Sequence, residues 1–201
     1  MPKKVKSKSQ QKMEKIAKKV YKKQSKLNTE MKYKQNNYAW SLTTAGNLDN
    51  PLSQINQGLD SNERVGQEVR LVKHTLRINL TNGDATNAIR YGLVYTNSPV
   101  TSVSQILNNL IPLSVNSGYD PEVVSRVLVD KLVTLNAFYS GGTSIKHNVI
   151  KKNDRTIIKW DSTVTGALPV KGHLYFFAIS DSSVGPNPRL TASLMTHYTD
   201  E

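Results

Sequence analysis

From Val72 to Leu80 the chain alternates strictly. Val72, His74, Leu76, Ile78 and Leu80 share one side, and Lys73, Thr75, Arg77 and Asn79 the other. A second run sets Ile89, Tyr91, Leu93 and Tyr95 against Arg90, Gly92, Val94 and Thr96. A period of two is the signature of extended chain with one buried face, so the chain must build sheets and stack them. Strand-like runs recur over residues 127–135, 144–150, 156–160, 172–179 and 190–198. Turn signals separate the runs: Asn82-Gly83-Asp84, Asn97-Ser98-Pro99, Asp120-Pro121, Gly141-Gly142, Asn153-Asp154 and Gly185-Pro186. Only residues 103–110 read as a short helix, with Val103, Ile106, Leu107 and Leu110 on one face. Connections of very unequal length, the longest from Thr96 to Arg126, favour Greek-key crossovers over a meander. The expectation is an all-β fold: a single eight-stranded antiparallel jelly-roll sandwich over residues 37–201, preceded by a basic N-terminal helical arm over residues 1–36.

That arm holds nearly all of the charge. Thirteen lysines against Glu14 and Glu30 in residues 1–34 leave +11 of the formal +12, and the body is close to neutral. Residues 1–10 carry no apolar pattern and are expected to be disordered. Residues 11–27 have helical periodicity, with Met13, Ile16, Ala17, Val20 and Leu27 forming a thin apolar stripe. Lys12, Lys15, Lys18, Lys19, Lys22 and Lys23 crowd the other faces, and like charges four residues apart oppose an isolated helix. Phosphates relieve that repulsion, so the arm reads as a nucleic-acid-binding segment that folds on its partner. Lysine supplies point charge without base-reading geometry, which implies salt-dependent and weakly sequence-specific binding. An anionic membrane is the second reading, weakened by the absence of Trp and Phe from the stripe. Pro2-Lys3-Lys4-Val5-Lys6 has the look of a nuclear-import signal, a short match that a lysine-rich arm produces easily.

The rest of the sequence excludes chemistry more than it offers it. Without cysteine there are no disulfides, thiolate metal sites or thiol nucleophiles. The longest apolar run, Leu174 to Ile179, is far too short to cross a bilayer, and no apolar segment follows the basic N-terminus as in a secretory signal. His74, His147, His173 and His197 stand singly, without zinc-ligand spacing, and His74 lies in register with a core face. Neither a nucleophile elbow nor a phosphate-binding glycine loop occurs, so no enzyme is expected. Asn79-Leu80-Thr81 is a nominal glycosylation sequon within an expected strand.

One stretch carries a resemblance. Gln57-Gly58-Leu59-Asp60-Ser61-Asn62-Glu63-Arg64-Val65-Gly66-Gln67-Glu68-Val69-Arg70-Leu71-Val72-Lys73-His74 resembles the opening of the first strand in satellite tobacco necrosis virus capsid proteins. Similar openings occur in capsids of some small circular single-stranded DNA viruses. Further co-linear matches are residues 128–136, Gly141-Gly142-Thr143-Ser144-Ile145-Lys146, Asp181-Ser182-Ser183-Val184-Gly185 and the terminal Tyr198-Thr199-Asp200-Glu201.

The resemblance implies a capsid protein of about sixty copies closing a T=1-like icosahedral shell around single-stranded RNA, with DNA the less favoured genome. It implies assembly in the host cytoplasm and residence in the virion, without a membrane partner. The resemblance further implies that the arms cluster inside the shell, with Lys15, Lys18 and Lys19 facing the RNA and Arg70 lining the inner surface. Structural calcium between subunits is implied at the Val65 backbone carbonyl, Glu68 and Asp200, and at a second site pairing Glu30 with Asp60. There Leu59 holds the aligned position, one residue before Asp60. The competing class is a non-assembling nucleic-acid-binding β-sandwich protein; a carbohydrate-binding or enzymatic sandwich has no recognisable site to support it.

Overall fold

The computed structural model describes residues 13–18, 30–108, 115–136, 145–161 and 168–200. The chain divides into two compact units, residues 1–31 and 32–201. Within the first, residues 13–18 are helical and Met13 and Ile16 are exposed. The remainder of the expected arm helix lies outside the described residues, as do Lys12, Lys19, Lys22 and Lys23 and the first ten residues.

The described residues contain nine strands: β1 (Met31–Ser41), β2 (Asn47–Asp49), β3 (Glu68–Thr81), β4 (Thr86–Thr96), β5 (Val124–Asn136), β6 (Ile145–Asn153), β7 (Ile157–Lys159), β8 (His173–Ser180) and β9 (Arg189–Asp200). One antiparallel sheet has the order β1-β9-β3-β6, with β7 also paired to β3; the other has the order β2-β8-β4-β5. Strand β9 runs along one edge of β3 for nearly its whole length. On the opposite edge β6 covers Lys73 to Thr81 and β7 covers Glu68 to Arg70. Thus β6 and β7 lie end to end along one neighbour, broken at Asp154.

The alternation in β3 works as expected. Leu76, Ile78 and Leu80 point into a core that also takes Ile89, Tyr91 and Leu93 from β4, Phe176 from β8 and Leu194 from β9. Both sheets feed this one cluster, each fully buried aliphatic or aromatic side chain contributing roughly 2 kcal/mol. Val72 departs from the pattern: the register shifts between Leu71 and Lys73, and the Val72 carbonyl accepts the Asp154 N–H at 2.8 Å. Every residue of β8 is buried. Leu174, Phe176 and Ala178 face the main core, while Tyr175, Phe177 and Ile179 join a second cluster with Val100, Val103, Ile106, Leu107 and Val115. The excursion between β4 and β5 therefore covers the outer face of that sheet. Its helix spans Val103–Ile106, shorter than the expected 103–110, because Leu107 leaves the helix to bridge Tyr119.

A sealed polar hub joins the two sheets where β6 gives way to β7. The Asp154 side chain is wholly buried. Its Oδ2 lies 2.9 Å from His74 Nε2 and accepts the Tyr95 hydroxyl at 2.6 Å. Its Oδ1 accepts Arg126 at 2.7 Å, the Thr156 hydroxyl at 2.7 Å and the Thr156 N–H at 3.0 Å. His74 Nδ1 lies 3.0 Å from the Thr196 hydroxyl, and the Arg126 guanidinium stacks 4.6 Å above the Tyr95 ring. Burial pushes the Asp154 carboxyl pKa up, but hydrogen bonds from His74, Tyr95, Arg126 and Thr156 outweigh it and hold the group well below the usual carboxylate range.

A pKa lowered by folding stabilises the protein above the ordinary carboxylate pKa, and that contribution fades as pH falls below about 4. Asp154→Asn should cost about 3 kcal/mol in urea denaturation at neutral pH, by stranding buried donors and Arg126. It should also remove this group's share of the acid-induced loss of stability. An unchanged acid profile in Asp154→Asn refutes the assignment.

Candidate functional site

The stretch that carried the resemblance forms the loop entering β3, with β1 and β2 already ahead of it in the chain. It opens the third strand rather than the first. Arg64 organises it. Its side chain is buried, with the guanidinium 4.7 Å over Trp160 and donating to the Gly66 carbonyl at 2.6 Å. Its backbone closes the loop: Arg64 N–H donates to Asn56 and the Arg64 carbonyl accepts from Gly58 N–H, both at 2.9 Å. The Glu63 carboxylate packs into the space beside Gly58, where a Cβ would displace it. That carboxylate caps the turn by accepting the Asp60 N–H at 3.1 Å.

This folding brings Val65 and Asp200 together at one corner of the sandwich, while Glu68 opens β3 beside β7. Asp200 stands opposite Val69 in the β3–β9 ladder, and its Oδ1 accepts the Val65 N–H at 3.2 Å. The Val65 carbonyl accepts from the Gln57 side chain at 3.0 Å. Two lysines complete the corner. Lys32 Nζ lies 3.1 Å from Asp200 Oδ2 and donates to the Glu63 carbonyl at 2.9 Å, and Lys159 pairs with Glu68.

Calcium takes six to eight oxygens. The Val65 carbonyl and the carboxylates of Glu68 and Asp200 are hard donors of the right chemistry, but all three are already engaged. Among the described residues no three His, Asp or Glu side chains converge as a metal cage. One chain thus supplies at most part of a coordination shell. Asp60 lines a shallow cavity of about 330 Å³ with Tyr33, Lys34, Gln35, Ser61 and Asn62. Glu30 is exposed and belongs to the other compact unit.

Of the arm lysines expected to meet nucleic acid, Lys15 and Lys18 are described, and both are exposed. Arg70 is exposed on β3, opposite Ile157 and Thr199. Sequence reasoning missed Lys32. It was grouped with the arm, yet it occupies an inward position of β1 and is only 3% exposed. No sequence signal marks it, because its partner Asp200 lies at the other end of the chain.

Thr196, His74 and Asp154 are arranged in the order of a nucleophile, base and acid. All three are buried, so the constellation presents no nucleophile to a substrate and serves as a clamp between sheets. The fold and the corner define a two-sheet antiparallel β-sandwich protein.

The comparisons specify which. A model of the satellite tobacco necrosis virus coat protein family matches residues 1–201. The capsid protein of Satellite tobacco necrosis virus 1 is 30% identical over 144 residues, 71% of this chain and 73% of that protein. A solved chain of Desmodium yellow mottle tymovirus aligns with 86% of this chain and 88% of its own, at 13% identity and a TM-score of 0.41. The chain belongs to the satellite tobacco necrosis virus coat protein family: it is a viral capsid protein, a structural component of the virion.

The corner's dependence on Lys32 is measurable. Lys32→Met should destabilise the protein by about 2 kcal/mol in urea, since Asp200 and the Glu63 carbonyl lose a buried ammonium partner. Combined with Asp200→Asn the losses should be less than additive. Strict additivity of the two substitutions overturns the pairing.

Proposed function

We propose that this capsid protein closes a T=1-like icosahedral shell of about sixty copies and packages single-stranded RNA through its lysine-rich arm. The observation that carries the reading is the segregation of charge, +11 on the first 34 residues against a nearly neutral body. Residues 1–30, ahead of β1, hold eleven lysines and two glutamates, so about sixty arms bring about 540 positive charges, enough to neutralise much of a genome on the order of a thousand nucleotides. The strand order supports a jelly roll as the wall. With β6 and β7 counted as one interrupted strand, eight principal strands fall into sheets of order 1-8-3-6 and 2-7-4-5. Consecutive strands then repeatedly change sheet, as Greek-key crossovers require.

The test is the state of the expressed full chain. Electron microscopy and size exclusion should show megadalton particles whose cargo is degraded by ribonuclease after disruption. A 22.4 kDa monomer that merely binds RNA supports the non-assembling nucleic-acid-binding sandwich instead. Replacing Lys15, Lys18, Lys19 and Lys22 with Gln should flatten the dependence of log binding constant on log salt by about 3. An unaltered slope refutes the role of the arm.

Calcium enters this proposal as a ligand shared between copies. The Val65 carbonyl, Glu68 and Asp200 supply part of a shell that a neighbouring subunit completes, and the metal would screen the carboxylates brought together there. Lys32 and Lys159 compete for the same oxygens, so the effect of metal is modest. Chelator at neutral pH should swell the particle or lower its disassembly temperature by a few degrees. No change in either measurement shows that the two lysines have taken over the work of the cation.

A further inference from the structure

The two sheets differ in what covers their outer faces. That of β2-β8-β4-β5 is covered by the apolar cluster of the β4–β5 excursion. On β1-β9-β3-β6 the outward positions near the middle of the sheet are largely polar and basic, with Val149 and Ile145 of β6 exposed toward one end. Gln35 of β1, Ser193 and Met195 of β9, Lys73, Thr75 and Arg77 of β3 and Lys151 of β6 line one shallow groove of about 220 Å³ crossing all four strands. The ladder sets Thr75 between Met195 and Lys151, and Arg77 opposite Ser193. Lys73, Arg77 and Lys151 have no salt bridge among the described residues, and the groove's described lining includes no carboxylate. Beside it, Lys73 is paired in register with His197, whose ring lies 6.2 Å from Tyr33 on the edge strand. Tyr33 is 44% exposed.

We infer that this groove is a second RNA-binding surface, distinct from the arm, in which Lys73, Arg77 and Lys151 hold phosphates and Tyr33 stacks on a base. The inference deepens the packaging reading and rests on it. Three cations close together on a sheet repel one another and raise the local concentration of anions, so a polyanion laid across them relieves the repulsion. Crossing four strands spans three strand intervals, about 14 Å. That distance accommodates about four stacked nucleotides at the rise of a nucleic-acid strand. Thr75, Ser193 and Gln35 place hydroxyl and amide donors between the cations, suited to phosphate or ribose oxygens. Cations flanked by an accessible aromatic ring are the pattern of sequence-tolerant single-strand binding. Chain connectivity is consistent with this, since the arm runs directly into β1, the edge strand of the same sheet.

The test uses the full chain. Lys73→Gln, Arg77→Gln and Lys151→Gln together should flatten the salt dependence of RNA binding by about 2, in addition to the effect of the arm variant. Tyr33→Ala should weaken binding of single-stranded RNA several-fold and leave duplex RNA unaffected. Ultraviolet cross-linking of RNA to the wild-type protein should label the peptide containing Tyr33 and peptides from β3. This measurement decides the matter even if the triple variant fails to assemble. If wild-type protein binds RNA but cross-links form on the arm alone, or the triple variant keeps the wild-type salt slope, the groove is not a binding surface. If wild-type protein binds no RNA, the packaging reading itself fails.

Discussion

The fold turns on one buried carboxylate. Asp154 sits where β6 breaks from β7, and its two oxygens take partners from both sheets: His74 of the first, Tyr95 and Arg126 of the second. Hydrophobic contact between sheets is nondirectional and tolerates sliding. A carboxylate with several donors at fixed geometry does not, because a slip leaves charged and polar groups buried without partners. The main core makes the sandwich stable, and the hub fixes how one sheet sits on the other. The thermodynamic cost of burying Asp154 is offset by the same bonds that depress its pKa.

Fixed sheets produce two unlike outer faces from one chain. Strand β8 is buried throughout because the β4–β5 excursion lies over Tyr175, Phe177 and Ile179. Strand β3, at the matching depth of the other sheet, alternates buried with accessible residues along its length. The first pattern reads in sequence as an unbroken apolar run and the second as alternation. Both patterns give the same sandwich, with one side sheathed and one side left open for charge.

Legibility followed that physics. β3 and β4 were readable because their inner and outer residues differ in polarity, and 172–179 because β8 is apolar on both sides. β1 was not. Its inward positions include Lys32 and Asn36, which are satisfied by Asp200, the Glu63 carbonyl and the Pro51 carbonyl, so no periodicity betrays a strand. Residues 31–36 therefore looked like more arm, although they form the first half of an edge strand. The short β2 escaped for want of length. The contact between Val65 and Asp200, 135 residues apart, was suggested only by resemblance, and the lysines that engage Asp200 and Glu68 are invisible without coordinates. His74 was readable as a core histidine, whereas its acid partner, 80 residues away, was not.

The near-neutrality of the body conceals its field. Net charge counts a buried ion pair and an exposed lysine alike, but only the lysine acts on a distant phosphate. The body spends its carboxylates close to home. Asp130 pairs with Arg90, Asp154 with Arg126, Asp200 with Lys32 and Glu68 with Lys159. Each pair cancels locally and contributes little potential beyond a Debye length. Lys73, Arg77 and Lys151 are among the cations outside these pairs, and they stand together on one sheet face. A body of formal charge near zero can therefore still present a cationic surface, and the division between charged arm and neutral wall is less complete than the sequence total implies. Charge on β3 and β6 is fixed in register to within a strand spacing, which charge on a segment outside the sheets is not.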